Sequence, residues 1–189
     1  MSGFRRIVAV MLVLTACGRS AMASEEYFPL IEAARADFAQ ANADVDDRYT
    51  AQLAATFDEI QGRYDLTDSD QAEQFALESI DAGVEVTVAL LTARTEGLER
   101  YLAELGELRP PEVAADAHAA WVAALGDARD GLAPTIDAIR GVDGVGALAR
   151  AIQESAVGQA LVRAGEACRA LQVIAAAEGQ IVDLRCPDA

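Results

Sequence analysis

Lysine is missing from the chain of 189 residues: all 15 basic residues are arginine, set against 31 acidic ones, for a formal charge of −16. With no basic cluster there is nothing to neutralise phosphates, which argues against nucleic-acid binding and against electrostatic docking on anionic lipid. Histidine occurs once and cysteine three times, and that inventory removes most catalytic and metal-site templates. Aromatic residues are scarce at 5%, while the 52% apolar fraction is supplied largely by alanine. Such a mix is too apolar for a disordered chain and suits long helices with small-residue contacts.

A long hydrophobic run is lacking at the N-terminus as well. Arg5 and Arg6 precede an apolar run over residues 7–16, ten residues in all. A helix needs about 20 to cross the hydrocarbon core, so this run reads as the core of a signal peptide and not as a membrane span. Directly after it stands Leu14-Thr15-Ala16-Cys17, which resembles the lipobox of bacterial lipoproteins. The resemblance implies attachment of diacylglycerol to Cys17 and cleavage before it. The competing reading is an ordinary secretory signal cut after Ala21-Met22-Ala23, with Cys17 discarded. On the lipoprotein reading, residues 1–16 are the signal peptide, 17–24 the lipidated Cys and a short tether, and 25–189 the folded domain. The mature chain of 173 residues would carry −18, because Arg5 and Arg6 leave with the signal. Residues 18–24 would reach at most about 25 Å, which keeps the domain close to the membrane.

From residue 25 onward the sequence reads as helix, interrupted in three places. The first break is the turn-rich acidic stretch 65–70, which supplies N-cap residues for the next helix. Pro110-Pro111 is the second, and the glycine-rich stretch 141–146 is the third. Four blocks of about 30 to 40 residues result. The first, 25–61, sets Ile31, Ala34, Phe38, Ala41, Val45 and onward to Ile60 at steps of three and four. The second, 69–108, repeats Leu77, Val84, Leu91, Leu98 and Leu105 every seven residues, with Gly83 and Gly97 bordering the stripe where a neighbouring helix is expected to come close. The third starts at Pro111 and carries Val113, Ala117, Trp121, Leu125, Leu132 and Ile139, with Pro134 expected to kink it or split off its last turn. The fourth, 147–178, is read as one helix with Gly158 and Gly165 on one line. Stripes this wide must be buried against each other, and short connections favour antiparallel neighbours. The expected fold is therefore all-α, an elongated up-down-up-down four-helix bundle, with a coiled-coil oligomer as its competitor.

With Cys17 assigned to lipid, Cys168 and Cys186 remain as an even pair in an exported setting. A helix from Cys168 to Glu178 and a tail returning from Gln180 can bring the two together, with Gly179 as the turn residue and Ile181, Val182 and Leu184 as apolar contacts. A disulfide tethering the C-terminal tail is expected. A two-thiolate metal site lacks the further ligands that zinc requires.

Catalytic chemistry fares poorly. A di-iron bundle requires two Glu-x-x-His pairs, yet the residue three before His118 is Ala115. No Gly-x-Ser-x-Gly is present for a nucleophile elbow. His118 shares a seven-residue interval with Leu125 and Leu132, so it is either a core imidazole bonded to a carbonyl or carboxylate, or part of a ligand cavity with Trp121. The run Asn42-Ala43-Asp44-Val45-Asp46-Asp47 has the alternating oxygens of a calcium loop, but Asp47 replaces the required glycine and Leu53 the final Glu. Asp44, Asp46 and Asp47 are then either weak cation ligands or a solvated helix face.

Taken with the lipobox, the Ala-rich helices, Leu108-Arg109-Pro110-Pro111 followed by His118, and Cys168 with Asp183-Leu184-Arg185-Cys186, the chain resembles Ala-rich helical lipoproteins of high-GC bacteria. The resemblance implies the anchor and places no activity on any numbered residue. The expected function is a non-catalytic, helical interaction module in the bacterial envelope. It would be held by lipid at the cell membrane or outer membrane, use no cofactor and engage an envelope protein partner. The alternative is a ligand- or cation-binding lipoprotein using an interhelical cavity or the acidic clusters.

Overall fold

The computed structural model describes residues 20–142 and 144–186, with only the backbone of Val145. Residues 1–16, expected to be a signal peptide, and Cys17 lie outside the described residues. Among the described residues five helices follow one another: α1 (Ser24–Gln61), α2 (Ser69–Glu107), α3 (Glu112–Arg140), α4 (Val145–Gln153) and α5 (Ala156–Ala177). No strand occurs among the described residues.

The breaks form for the reasons that the sequence suggests. Asp68 caps α2, its carboxylate accepting from the backbone amides of Asp70 and Gln71. Pro111 stands just before α3 and offers its carbonyl to the Ala114 amide. Gly179 takes a φ of +72°, and the amides of Gly179 and Gln180 return to the carbonyls of Ala176 and Ala175. This is the left-handed reversal that closes a helix and that a glycine adopts without strain.

Contacts across the helices define the register. Phe38 stacks on Tyr101 and Asp46 pairs with Arg94, so α2 runs back along α1. Tyr101 meets Trp121 edge-on across the contact between α2 and α3. Asp127 pairs with Arg163, and Val157 lies against Gly131, so α5 runs back along α3. The helices pack as α1 on α2, α2 on α3, and α3 on both α4 and α5. Helix α3 is the central element, and its buried residues run from Ala114 to Ile139.

Packing is uneven along the long axis. At one end Tyr27, Phe28, Ile31, Leu105, Leu171 and Leu184 are fully or almost fully buried in a core that also holds Trp121. The Met22 amide donates to the Arg109 carbonyl at 2.9 Å, and the Ser24 hydroxyl to Glu178 at 2.9 Å, so the start of α1 and the end of α5 meet at this end. At the other end, in the α1–α2 hairpin, Leu77 is 56% exposed.

The tail is the clasp between α1 and α5, which are not among the extensively packed pairs. Cys168 and Cys186 form a disulfide with Cα atoms 5.6 Å apart. The Asp183 amide donates to Glu32 of α1, Arg35 of α1 donates to the Arg185 carbonyl, and the Gln172 amide of α5 bonds Val182 and Leu184. Val182 and Leu184 pack on the core, whereas Ile181 points fully into solvent and supplies no contact.

Several expectations require correction. The fourth block is two helices, because α4 ends at Gln153 and α5 begins at Ala156. The break lets Val157 drop onto Gly131, where an added Cβ would stand 3.1 Å from Val157 Cγ2. Pro134 does not split off the end of α3, which continues to Arg140. Buried Ile136 and Ile139 hold that last turn to its neighbours, and the Thr135 hydroxyl donates to the Gly131 carbonyl. Gly83 and Gly97 are not points of close approach: nothing lies within 4 Å of a Cβ at Gly83, and at Gly97 the nearest atom is 3.9 Å away. Gly158 is similarly open, while Gly165 is buried, so the two play different parts. Val113 is 55% exposed, the buried stripe of α3 passing instead through Ala114.

Candidate functional site

Below the well-packed end, α1 and α5 stand apart and an apolar cleft of about 500 Å³ opens between the helices. Leu90, Leu91 and Leu98 of α2 form its floor with Leu125, Ala128 and Leu132 of α3. Phe38 of α1 borders one side, and Ile152, Val157 and Leu161 of the α4–α5 segment border the other. Ile152 and Leu161, exposed by 47% each, are apolar residues left uncovered on this wall. From Thr87 to Leu98 the floor runs about 16 Å along α2 at the helical rise. That volume falls inside the range of small-molecule sites, about 300–1,000 Å³, which are mostly apolar with a few placed polar groups.

The polar groups here are few. Thr87 and Thr135 spend their hydroxyls on the carbonyls of Gly83 and Gly131. Back-bonding of this kind turns a threonine's methyl group outward. Asn42 and Arg94 lie on the α1–α2 side and Ser155 on the opposite wall. Arg94 is the single charged residue in the described lining. Its Nε and Nη2 both donate to Asp46 Oδ1, at 3.2 and 2.6 Å.

His118 and Trp121 are not part of the described lining of this cleft. His118 is 7% exposed, and its Nδ1 lies 2.8 Å from the Tyr27 hydroxyl. The backbone of Leu105 is the ring's second polar neighbour. Nδ1 accepts from the Tyr27 hydroxyl when the neutral ring carries its proton on Nε2. Burial pushes His118 below the ordinary imidazole range, against the smaller upward pull of the Leu105 bond. Burial also pushes the Tyr27 hydroxyl upward, so this phenol stays protonated and available as a donor. Trp121 is 2% exposed, edge-on to Tyr101 at 5.9 Å between ring centres. The Tyr27 partner was not singled out in the sequence, although Tyr27 and Phe28 stand one turn before Ile31 and extend the α1 stripe.

A buried neutral histidine makes stability depend on pH. The unfolded chain binds a proton near 6.5, whereas the folded chain resists it, so the contribution is complete above pH 6.5 and is lost as pH falls toward the lower folded value. The 31 acidic residues also change the stability on acidification, so the comparison must be between proteins at equal pH. Between about pH 7 and 5 the parent is expected to lose stability relative to His118→Gln, so that the difference between the two proteins, measured by urea unfolding at each pH, changes as pH falls. A constant difference across that interval would show that His118 does not titrate with folding.

Asp44, Asp46 and Asp47 stand inside continuous helix α1 rather than in a loop. Asp44 accepts from Gln40 and Asp46 from Arg94, and among the described residues no three potential metal ligands converge. A second, shallower hollow of about 280 Å³ lies in the α1–α2 hairpin, where Glu78 is held by Arg63 and by the Tyr64 hydroxyl. The Tyr64 bond leads in drawing the Glu78 carboxyl below the usual range.

No family model, curated protein or solved structure matches this chain. Among the described residues, no helix is long and apolar enough to cross a membrane.

Proposed function

We propose that the chain is a lipid-anchored lipoprotein of the bacterial envelope, and that it is a non-catalytic binding module whose working surface is the apolar cleft. The cleft is the single observation that carries this reading, because Phe38, Leu91, Ile152 and Leu161, apolar residues of four helices, line an open slot instead of a filled core. In this reading α4 and α5 together stand as the fourth helix of an elongated up-down-up-down bundle. Two observations support the anchor. Met22 packs against the core and its amide is bonded to Arg109, so a cut after Ala23 would remove part of the fold. Cleavage before Cys17 would preserve it, and the free tether would then reach at most about 18 Å from Cys17 to Met22.

Gly158 offers a direct test of the cleft. It lines the slot, and a Cβ built there meets nothing within 4 Å. Gly158→Phe should fill the cleft without disturbing the bundle, since replacing a helical glycine is itself favourable. An anilinonaphthalene sulfonate dye should bind the parent saturably, and Gly158→Phe should weaken that binding at least tenfold without lowering the melting temperature. Equal binding by the two proteins would refute the cleft as the working surface. Mass spectrometry of the processed protein tests the anchor separately: acylated Cys17 is expected, and a mature N-terminus at a later residue would overturn it.

A further inference from the structure

Two polar side chains in the cleft have capacity to spare. Arg94 spends Nε and Nη2 on one oxygen of Asp46, and among the described residues Nη1 takes part in no hydrogen bond. Asn42 stands one helical turn before Asp46, half-buried, and its amide has no hydrogen-bond partner among the described residues. Both lie on the α1–α2 wall of a slot that is otherwise mostly apolar and about 16 Å long.

We propose that the cleft binds a straight-chain monocarboxylate, its alkyl chain along the leucines of α2 and α3 and its carboxylate on Arg94 and Asn42. This rests on the reading of the cleft as the binding surface and adds the chemistry of the occupant. An elongated, unbranched slot accepts an alkyl chain better than a compact ring system. The Thr87 and Thr135 hydroxyls are already spent on backbone carbonyls, so they add no polar demand along the chain. Arg94 is the only formal charge in the described lining, and a planar guanidinium edge favours a carboxylate over a hydroxyl. The acidic character of the whole chain opposes an anion from afar, but over distances beyond about 8 Å that repulsion is screened at physiological salt.

The test is displacement of the bound dye from the purified full chain carrying Cys17→Ser, which takes the acyl anchor out of the measurement. Octanoate, decanoate and laurate form one series and the alcohols of the same lengths form the other. Each two-carbon step should raise affinity about fifteenfold until the slot is full. Carboxylates should bind about tenfold more tightly than the matching alcohols, and Arg94→Gln should erase that difference while leaving the alcohols unchanged. Asp46→Asn, which frees Arg94 of its counter-charge, should strengthen carboxylates alone. If carboxylates and alcohols bind equally in the parent, or if Arg94→Gln weakens both alike, the carboxylate assignment fails while the cleft stands. If Gly158→Phe leaves dye binding intact, the cleft itself fails and the carboxylate assignment goes with it.

Discussion

Reducing the Cys168–Cys186 bond, or replacing Cys186 by serine, is expected to lower the melting temperature by about 6–12 °C. The bond closes 18 residues, and in the chain-entropy model a loop of that length contributes about 3 kcal/mol. For a domain of this size each kcal/mol corresponds to roughly 2–4 °C. The position of the bond matters as much as its loop. Because α1 and α5 do not pack extensively on each other, the tail connects them through Glu32, Arg35 and Gln172, and the disulfide holds it there. Leu184, fully buried, would be uncovered if the tail detached. Thermal unfolding with and without reductant measures the effect, and Cys186→Ser serves as the control in which reductant should change nothing further. An unchanged transition on reduction would show that the clasp contributes no stability.

The clasp was also the part of the fold most legible in the sequence. The pair Cys168 and Cys186, a glycine at the reversal and a tail of sufficient reach are local facts, and local chain geometry decides whether such a bond can close. The ends of α1 and α2 were equally legible because capping residues and turns mark them. The split between α4 and α5 was not foreseen, although Ser155 is an N-cap residue type, because the apolar period of the block runs through it. What decides the break is Val157 seating against Gly131 of a different helix, a tertiary event. Gly83 and Gly97 misled for the same reason. A glycine beside an apolar stripe permits close approach, but only the facing helix determines whether that approach occurs. The candidate site divides in the same way. His118 sits at a core interval in the sequence, and its partners Tyr27 and Leu105 come from two other helices. The cleft was legible only as a possibility between helices, because its lining alternates with buried positions on the same stripes. Leu98 is buried and Leu91 is half-buried one heptad away, so periodicity alone does not distinguish a filled core from an open slot.

Trp121→Ala is expected to cost about 3–5 kcal/mol, within the range for removing a buried aromatic side chain. The corresponding fall in melting temperature is about 6–20 °C. Trp121 is 2% exposed and meets Tyr101 edge-on, while Tyr101 stacks on Phe38 at 4.4 Å between ring centres. The three rings link α3, α2 and α1 at the level where the tight core gives way to the cleft, so the cavity left by the indole would open beside the cleft's upper end. Tyr101 supplies the contrast that separates packing from hydrogen bonding. Its hydroxyl is buried without a partner among the described residues, so Tyr101→Phe removes an unsatisfied polar atom and should leave stability unchanged or raise it. Urea unfolding of the two variants measures both effects. A loss in Tyr101→Phe comparable to that in Trp121→Ala would mean that the hydroxyl has a partner and that the ring stack is not what joins the three helices. A negligible loss in Trp121→Ala would place the core elsewhere. With the dye held below the unfolding temperature, Trp121→Ala should retain binding in the cleft, since the indole is not among its described lining, whereas Gly158→Phe should lose binding at unchanged stability. The two variants thereby separate the ring stack that joins the three helices from the slot proposed as the binding surface.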